Sequence, residues 1–216
     1  MESINEFIFN LRPIFELLYF ISGLVVAAAA IYALKQIPLL KRTLRIQSKR
    51  DALKITSEQC DIYMSEIIPM QNVFHEAVKE NKVTYFQGWD VSIENDELKV
   101  SRKTPPNMKG FSSILKTLNV LNKMESFSSY FTSNVADEVI AYHTVGTTFL
   151  SFTKELLPWV ISCREDGYYK NLTKLYIHWE SRRLNEQLMK QKLDLEKRLN
   201  NTSLSSNKVP LGAENT

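Results

Sequence analysis

Two hundred and sixteen residues suffice for one folded domain with accessory segments. A hydrophobic share of 44% with 11% aromatics excludes a disordered chain. Cys60 and Cys163 stand far apart with no C-x-x-C spacing, which leaves no basis for a disulfide framework or a zinc site. The net charge of +3 is unevenly spread: Glu2, Glu6 and Glu16 outweigh Arg12 in residues 1–34, whereas Lys35, Lys41, Arg42, Arg45, Lys49, Arg50 and Lys54 face only Asp51 in residues 35–54. The remainder is close to neutral, which argues against direct nucleic-acid binding.

Between Glu16 and Lys35 lie 18 uncharged residues, Leu17 to Leu34. As a helix they reach about 27 Å, and Ile14 and Phe15 extend them to the length a hydrocarbon core of about 30 Å requires. Pro13 suits the first helical position, Glu16 the positive end of the helix dipole, and Tyr19 and Tyr32 the two water interfaces. The basic cluster follows the span, so the expected topology in an inner (plasma) membrane puts the N-terminus outside and the rest in the cytoplasm. An acidic leader and a long apolar run argue against a cleaved signal peptide. Gly23 and Ala27 form a small-xxx-small pair that lets two spans approach.

Leu39 to Ile68 holds no proline or glycine and reads as a long helix. Its basic half either lies on anionic lipid or only sets topology. Pro69 is expected to kink or restart this helix, which then runs to about Glu80. Trp89, Val91 and Ile93, then Leu98 and Val100, alternate with polar residues around the turn Glu94-Asn-Asp-Glu97, predicting a small β-hairpin within residues 83–103. Two strands are marginal alone, so the hairpin must pack on something else.

Ile114, Leu118, Leu121 and Met124 predict one helix from Phe111 to Phe131. Val135, Val139, Tyr142, Gly146, Phe149, Thr153, Leu156 and Val160 form the stripe of the next, with Asn134 as N-cap and Asp137 at its N3 position. Gly146 is expected to admit a neighbouring helix, Pro158 to bend this one and Gly167 to mark its end. The last helix runs through Leu172, Leu175, Trp179, Leu184, Leu188, Leu195 and Leu199, and its charged final third is expected to project into solvent or pair with a partner helix.

The fold class is therefore mainly α: a short extracytoplasmic N-terminus at 1–13, a transmembrane helix at 14–34, a basic juxtamembrane helix at 35–54, a cytoplasmic antiparallel helical bundle with the hairpin at 55–200, and a disordered tail at 201–216.

Chemistry finds little support in the residues. His75, His143 and His178 have no ligand-type residue three or four positions away, so no metal is expected. The six glycines never cluster into a phosphate-binding loop, and no G-x-S-x-G elbow occurs, so no cofactor is expected either. What remains is a polar set within helical stretches: Asn122 and Glu125, then Glu138 and Tyr142 four apart with Gly146 beyond, and Arg164. It forms either a structural network, with Arg164 pairing to Glu125 or Glu138 and fixing helix register, or the lining of a ligand pocket.

The run Leu121-Asn-Lys-Met-Glu125, Ala136-Asp-Glu138, Tyr142, Gly146, Pro158, Arg164, Tyr168-Tyr169, Leu175 and Trp179 resembles a widespread bacterial domain of unknown function, found in small proteins that often carry an N-terminal membrane helix. The resemblance covers about Phe111 to Trp179. It implies an all-helical fold without assigned activity, from which the hairpin near Trp89 departs, and it alone suggests a setting in bacterial stress or phage defence. The expectation is a membrane-anchored, noncatalytic interaction module that meets the bilayer and a protein partner or its own copy. The alternatives are an enzyme or small-ligand sensor using the polar set, and an oligomeric pore-type effector.

Overall fold

A computed structural model describes the backbone of residues 2–95, 97–164 and 166–201, with side chains omitted at 2–8, 10, 164, 200 and 201. The chain divides into two units, residues 1–52 and residues 53–216. All of the expected tail but the backbone of Asn201, helical here, lies outside the described residues.

The first unit lies in α1, Glu2–Ile62. Helix was expected to begin near Pro13; instead it is already formed at Glu2 and runs through both Pro13 and Pro38. Each proline removes one rung and crowds the carbonyl four residues back. Good helix formers flank both sites, Leu11, Arg12, Glu16 and Leu17 around Pro13 and Leu34, Lys35, Leu39 and Leu40 around Pro38, and favour continuation of the ladder. Every side chain from Arg12 to Arg50 is exposed, including all of the apolar stretch. One helix is thus long and apolar enough to cross a membrane.

In the second unit the final turns of α1 enter a core. Thr56, Gln59 and Cys60 are buried, and Tyr63 and Ile67 fully so. The turn Tyr63–Ile67 widens to π spacing before α2, Ile68–Glu80. Pro69 explains this: in an unbroken α-helix its ring meets the Ser65 carbonyl, and the wider turn moves that carbonyl aside. The expected disturbance at Pro69 therefore takes the form of a π turn.

The hairpin forms as expected, β1 Trp89–Glu94 pairing antiparallel with β2 Glu97–Arg102. Val91 opposes Val100 and Ile93 opposes Leu98, and all four pack against the core from partly buried positions. Trp89 fixes the base of the hairpin, donating from Nε1 to the Tyr85 carbonyl at 2.6 Å beneath the Arg102 guanidinium, 5.6 Å from the ring centroid. Gly110, at φ 76°, follows: a Cβ there would stand 2.6 Å from the Asn81 carbonyl oxygen, so only glycine fits.

The single helix expected over Phe111 to Phe131 is three pieces: α3 Phe111–Ile114, a 3-10 segment Leu115–Asn119, and α4 Val120–Thr132. Ile114, Leu118, Leu121 and Met124 are all buried nonetheless. Their spacing of four, three and three suits both geometries, so periodicity does not register the change.

α5, Glu138–Arg164, continues through Pro158. Its cap is not Asn134, which sits in the left-handed region at φ 59°, but Asp137, whose Oδ1 accepts from the N–H groups of Val139 and Ile140 at 3.1 and 3.2 Å. The backbone N–H of Asp137 donates in turn to buried Thr56 at 2.7 Å, tying the start of α5 to the end of α1. Gly167, at φ 87°, turns the chain into α6, Lys170–Asn201. Rings of Phe127, Phe131, Phe149 and Trp179 meet at the centre, with Phe149 and Trp179 at 4.8 Å and Phe127 and Phe131 at 4.8 Å between centroids.

Candidate functional site

Sequence reading proposed Asn122, Glu125, Glu138, Tyr142 and Arg164 as one polar set. The structure distributes the first four between two clusters, and α6 supplies partners in both.

Glu125 caps α6 from the side. Its Oε1 accepts from the backbone N–H of Asn171 at 3.1 Å and from Asn171 Nδ2 at 2.9 Å, and its Oε2 accepts from the backbone N–H of Leu172 at 2.7 Å. The first turn of any helix has donors without intrahelical acceptors, and a carboxylate there also meets the positive end of the dipole. Tyr169, in the left-handed region at φ 57°, leads into this turn and donates from its hydroxyl to Asn122 Oδ1 at 3.4 Å. Burial, more than the nearby Cys163 and Glu125, raises the Tyr169 phenol.

The second cluster is a ladder between α5 and α6. Glu138 Oε2 accepts from Arg182 at 2.7 Å, and His178 Nε2 lies 3.5 Å from its Oε1. Tyr142 donates to Glu186 Oε2 at 2.9 Å while the Arg182 guanidinium stacks 4.9 Å from its ring centroid. Burial first and the Glu186 carboxylate second raise the Tyr142 phenol. Four-residue spacing on both helices, 138 and 142 against 178, 182 and 186, aligns the rungs. At buried Gly146 the atom nearest to an added Cβ is Tyr142 Cδ2 at 3.0 Å, so the missing side chain makes room for that ring.

Arg164 ends α5, and its side chain lies outside the described residues. The partners found for the two carboxylates are the first turn of α6 for Glu125 and Arg182 for Glu138. A cleft of about 500 Å³ opens beside the ladder, lined by Thr132, Asn134, Glu138, Lys174 and His178 among others. Both thiols are raised by burial, Cys60 and Cys163 alike, which makes them poor nucleophiles at neutral pH. Among the described residues no three His, Cys, Asp or Glu side chains are placed to hold a metal ion.

The basic residues of α1 sit differently. Lys35, Arg42, Arg45 and Lys49 recur at seven, three and four positions and share one face of the helix. All are exposed, and only Lys54 of the seven has an ion-pair partner among the described residues, Glu58 at 3.9 Å.

Sequence reading missed Arg182, His178, Glu186, Asn171 and Thr56. The first three carried a signal, the four-residue spacing on the last helix that mirrors Glu138 and Tyr142. Asn171 and Thr56 carried none, since their importance comes from which helix end meets them.

A family profile described as a domain of unknown function (DUF4760) matches residues 21–179. The chain belongs to that family. The DUF4760 match begins inside the apolar stretch of α1 and ends at Trp179, so it takes in the basic segment, the hairpin, the Glu125 cluster and the α5 side of the ladder, but not Arg182 or Glu186. The hairpin, expected to depart from the family pattern, thus falls within the matched region. No curated protein and no solved structure matches the chain.

Proposed function

We propose that this DUF4760 protein is a single-pass membrane-anchored interaction module, with its N-terminus outside the cytoplasm and residues 55–200 as a helical domain inside. The observation that carries the reading is the state of α1: an apolar stretch of membrane-spanning length, wholly exposed, followed at once by exposed lysines and arginines. Water-exposed leucine, valine and phenylalanine side chains in such number are costly, at roughly 25 cal/mol per Å², and a bilayer removes that cost. The basic flank then sets the orientation.

A noncatalytic role is supported by how the polar residues are used. Glu125 spends both oxygens on helix capping, and Glu138, Tyr142, Arg182 and Glu186 engage one another. A carboxylate that caps a helix with both oxygens, as Glu125 does, has little capacity left for substrate, whereas Glu138 keeps one oxygen, Oε1, without a hydrogen-bond partner. The bacterial resemblance points the module toward a sensor or effector role in stress or phage defence.

Two measurements test the proposal. Full-length protein is expected in the membrane pellet and resistant to carbonate extraction, with a cytoplasm-active reporter functioning at the C-terminus and failing at the N-terminus. Recovery in the soluble fraction, or the opposite reporter pattern, overturns the anchor and its topology.

A further inference from the structure

From Leu184 to Leu199 every side chain of α6 is exposed, and this segment lies beyond the family match that ends at Trp179. Leu184, Leu188, Leu195 and Leu199 are 43%, 62%, 59% and 72% exposed. At 3.6 residues per turn these four project within about 60° of one another. Leu172, Leu175, Tyr176 and Trp179, which bury the start of α6 in the core, project from the nearly opposite side, about 160° away. The leucine stripe is therefore not an extension of the core face, and packing within the domain does not account for it.

Its spacing is symmetric. The intervals are four, seven and four residues, so the stripe reads the same in both directions about a point between Gln191 and Lys192. A parallel pair of helices matches any spacing with itself and needs no such symmetry. An antiparallel pair does need it, because residue i must meet residue j while j meets i.

We propose that the exposed end of α6 is a self-association element, in which two copies of this chain pair antiparallel through Leu184, Leu188, Leu195 and Leu199 about a two-fold axis between Gln191 and Lys192. Leu184 then faces Leu199 of the partner subunit, and Leu188 faces Leu195 of the partner subunit. The charges permit this approach. Lys192 lies 3.9 Å from Glu196 and Arg198 2.9 Å from Asp194 on the same helix, so each of the two Lys192 side chains that the axis brings together comes with a carboxylate beside it. Opposed helix dipoles add to the preference for the antiparallel arrangement. The seam is short, so the dimer is concentration-dependent in solution, and confinement of both copies to one membrane raises their effective concentration. The inference names the partner of the interaction module proposed above and is independent of the membrane anchor.

The test uses the full chain in detergent. Sedimentation is expected to show a monomer–dimer equilibrium that the double variant Leu188→Glu/Leu195→Glu weakens at least tenfold with helicity unchanged. Leu188→Ala/Leu195→Ala serves if the charged variant misfolds. Under mild oxidation, Gln191→Cys is expected to form a disulfide-linked dimer absent from the wild type. Leu184→Cys alone is expected to form none, but to cross-link when mixed with Leu199→Cys. A wild type that stays monomeric, a dimer indifferent to both leucine variants, or self-linking of Leu184→Cys each overturns the proposal. None of these outcomes bears on membrane insertion, so this inference and the anchor fail separately.

Discussion

Glu125 and Leu172 stand 47 residues apart in the chain, and the backbone N–H of Leu172 donates to Glu125 Oε2 at 2.7 Å. One side chain of α4 thereby completes the first turn of α6, a helix whose own sequence begins with no Ser, Thr or Asp cap. Glu125→Ala is expected to destabilise the domain by about 1–2 kcal/mol, the usual value of a cap. Glu125→Gln, which keeps one acceptor, is expected to cost less. Urea denaturation followed by circular dichroism reads both, and a neutral Glu125→Ala would show that the cap is decorative.

The Glu138–Arg182 pair is only partly accessible, at 18% and 25% side-chain exposure. Such a site lies between exposed pairs worth at most about 1 kcal/mol and buried ones whose breakage costs about 3–5 kcal/mol. Arg182→Met is expected to cost about 1–3 kcal/mol, since it removes both the ion pair and the stacking on Tyr142. Glu138→Gln/Arg182→Met is expected to cost less than the two single changes summed, and a double-mutant cycle measures that coupling. Additive losses would mean that the two groups do not interact in solution.

Gly146→Ala tests the reading that this glycine accommodates a ring of its own helix. Alanine is the better helix former by about 1 kcal/mol. Here its Cβ would stand 3.0 Å from Tyr142 Cδ2, and displacing that ring strains the contacts to Glu186 and Arg182. The substitution is expected to be neutral or destabilising in the wild type. In a Tyr142→Ala background it is expected to stabilise by about 1 kcal/mol. Thermal denaturation of the four proteins decides it, and a gain in both backgrounds would contradict the role assigned to Gly146.

Alkaline pH probes the core. Burial pushes the Tyr63 phenol up to about 12 from 10.0, although the Gln71 amide donates to its oxygen at 2.8 Å. An acid with a raised value in the fold holds its proton longer there than in the unfolded chain. The contribution is therefore complete below pH 10 and lost between pH 10 and about 12, at about 1.4 kcal/mol per pH unit for this group. Tyr176 is raised in the same direction by burial and steepens the loss. Among the nine tyrosines, Tyr63 and Tyr176 are expected to add a late, cooperative phase of tyrosinate absorbance that coincides with unfolding and is lost in Tyr63→Phe/Tyr176→Phe. A late phase that the double variant leaves unchanged would place these two phenols in water.

Elements with a strong local cause were legible from residues alone. The apolar run, its basic flank, the alternation around Trp89 and the heptad-like stripes each need only neighbours within a few positions. The hairpin and helices appear where those patterns put them, and the DUF4760 match extends the suspected family over residues 21–179. Boundaries fared less well. Asn134 and Asp137 are both good caps by composition, and Asp137 took the role because Thr56 holds its backbone N–H. The 3-10 segment at Leu115–Asn119 was invisible to a periodicity that both helix types satisfy.

By itself, then, the sequence determined that the chain is helical, that one stretch is apolar enough to span a bilayer, and most of the core-facing positions, because hydrophobic periodicity is a local property; Val135 and Val139, expected on the core stripe, are instead 47% and 49% exposed. Only the tertiary structure decided how the polar residues are spent. It gave Glu125 to the start of α6 and Glu138 to Arg182, since a carboxylate takes whichever donors packing brings within 3 Å, and distance along the chain does not set that.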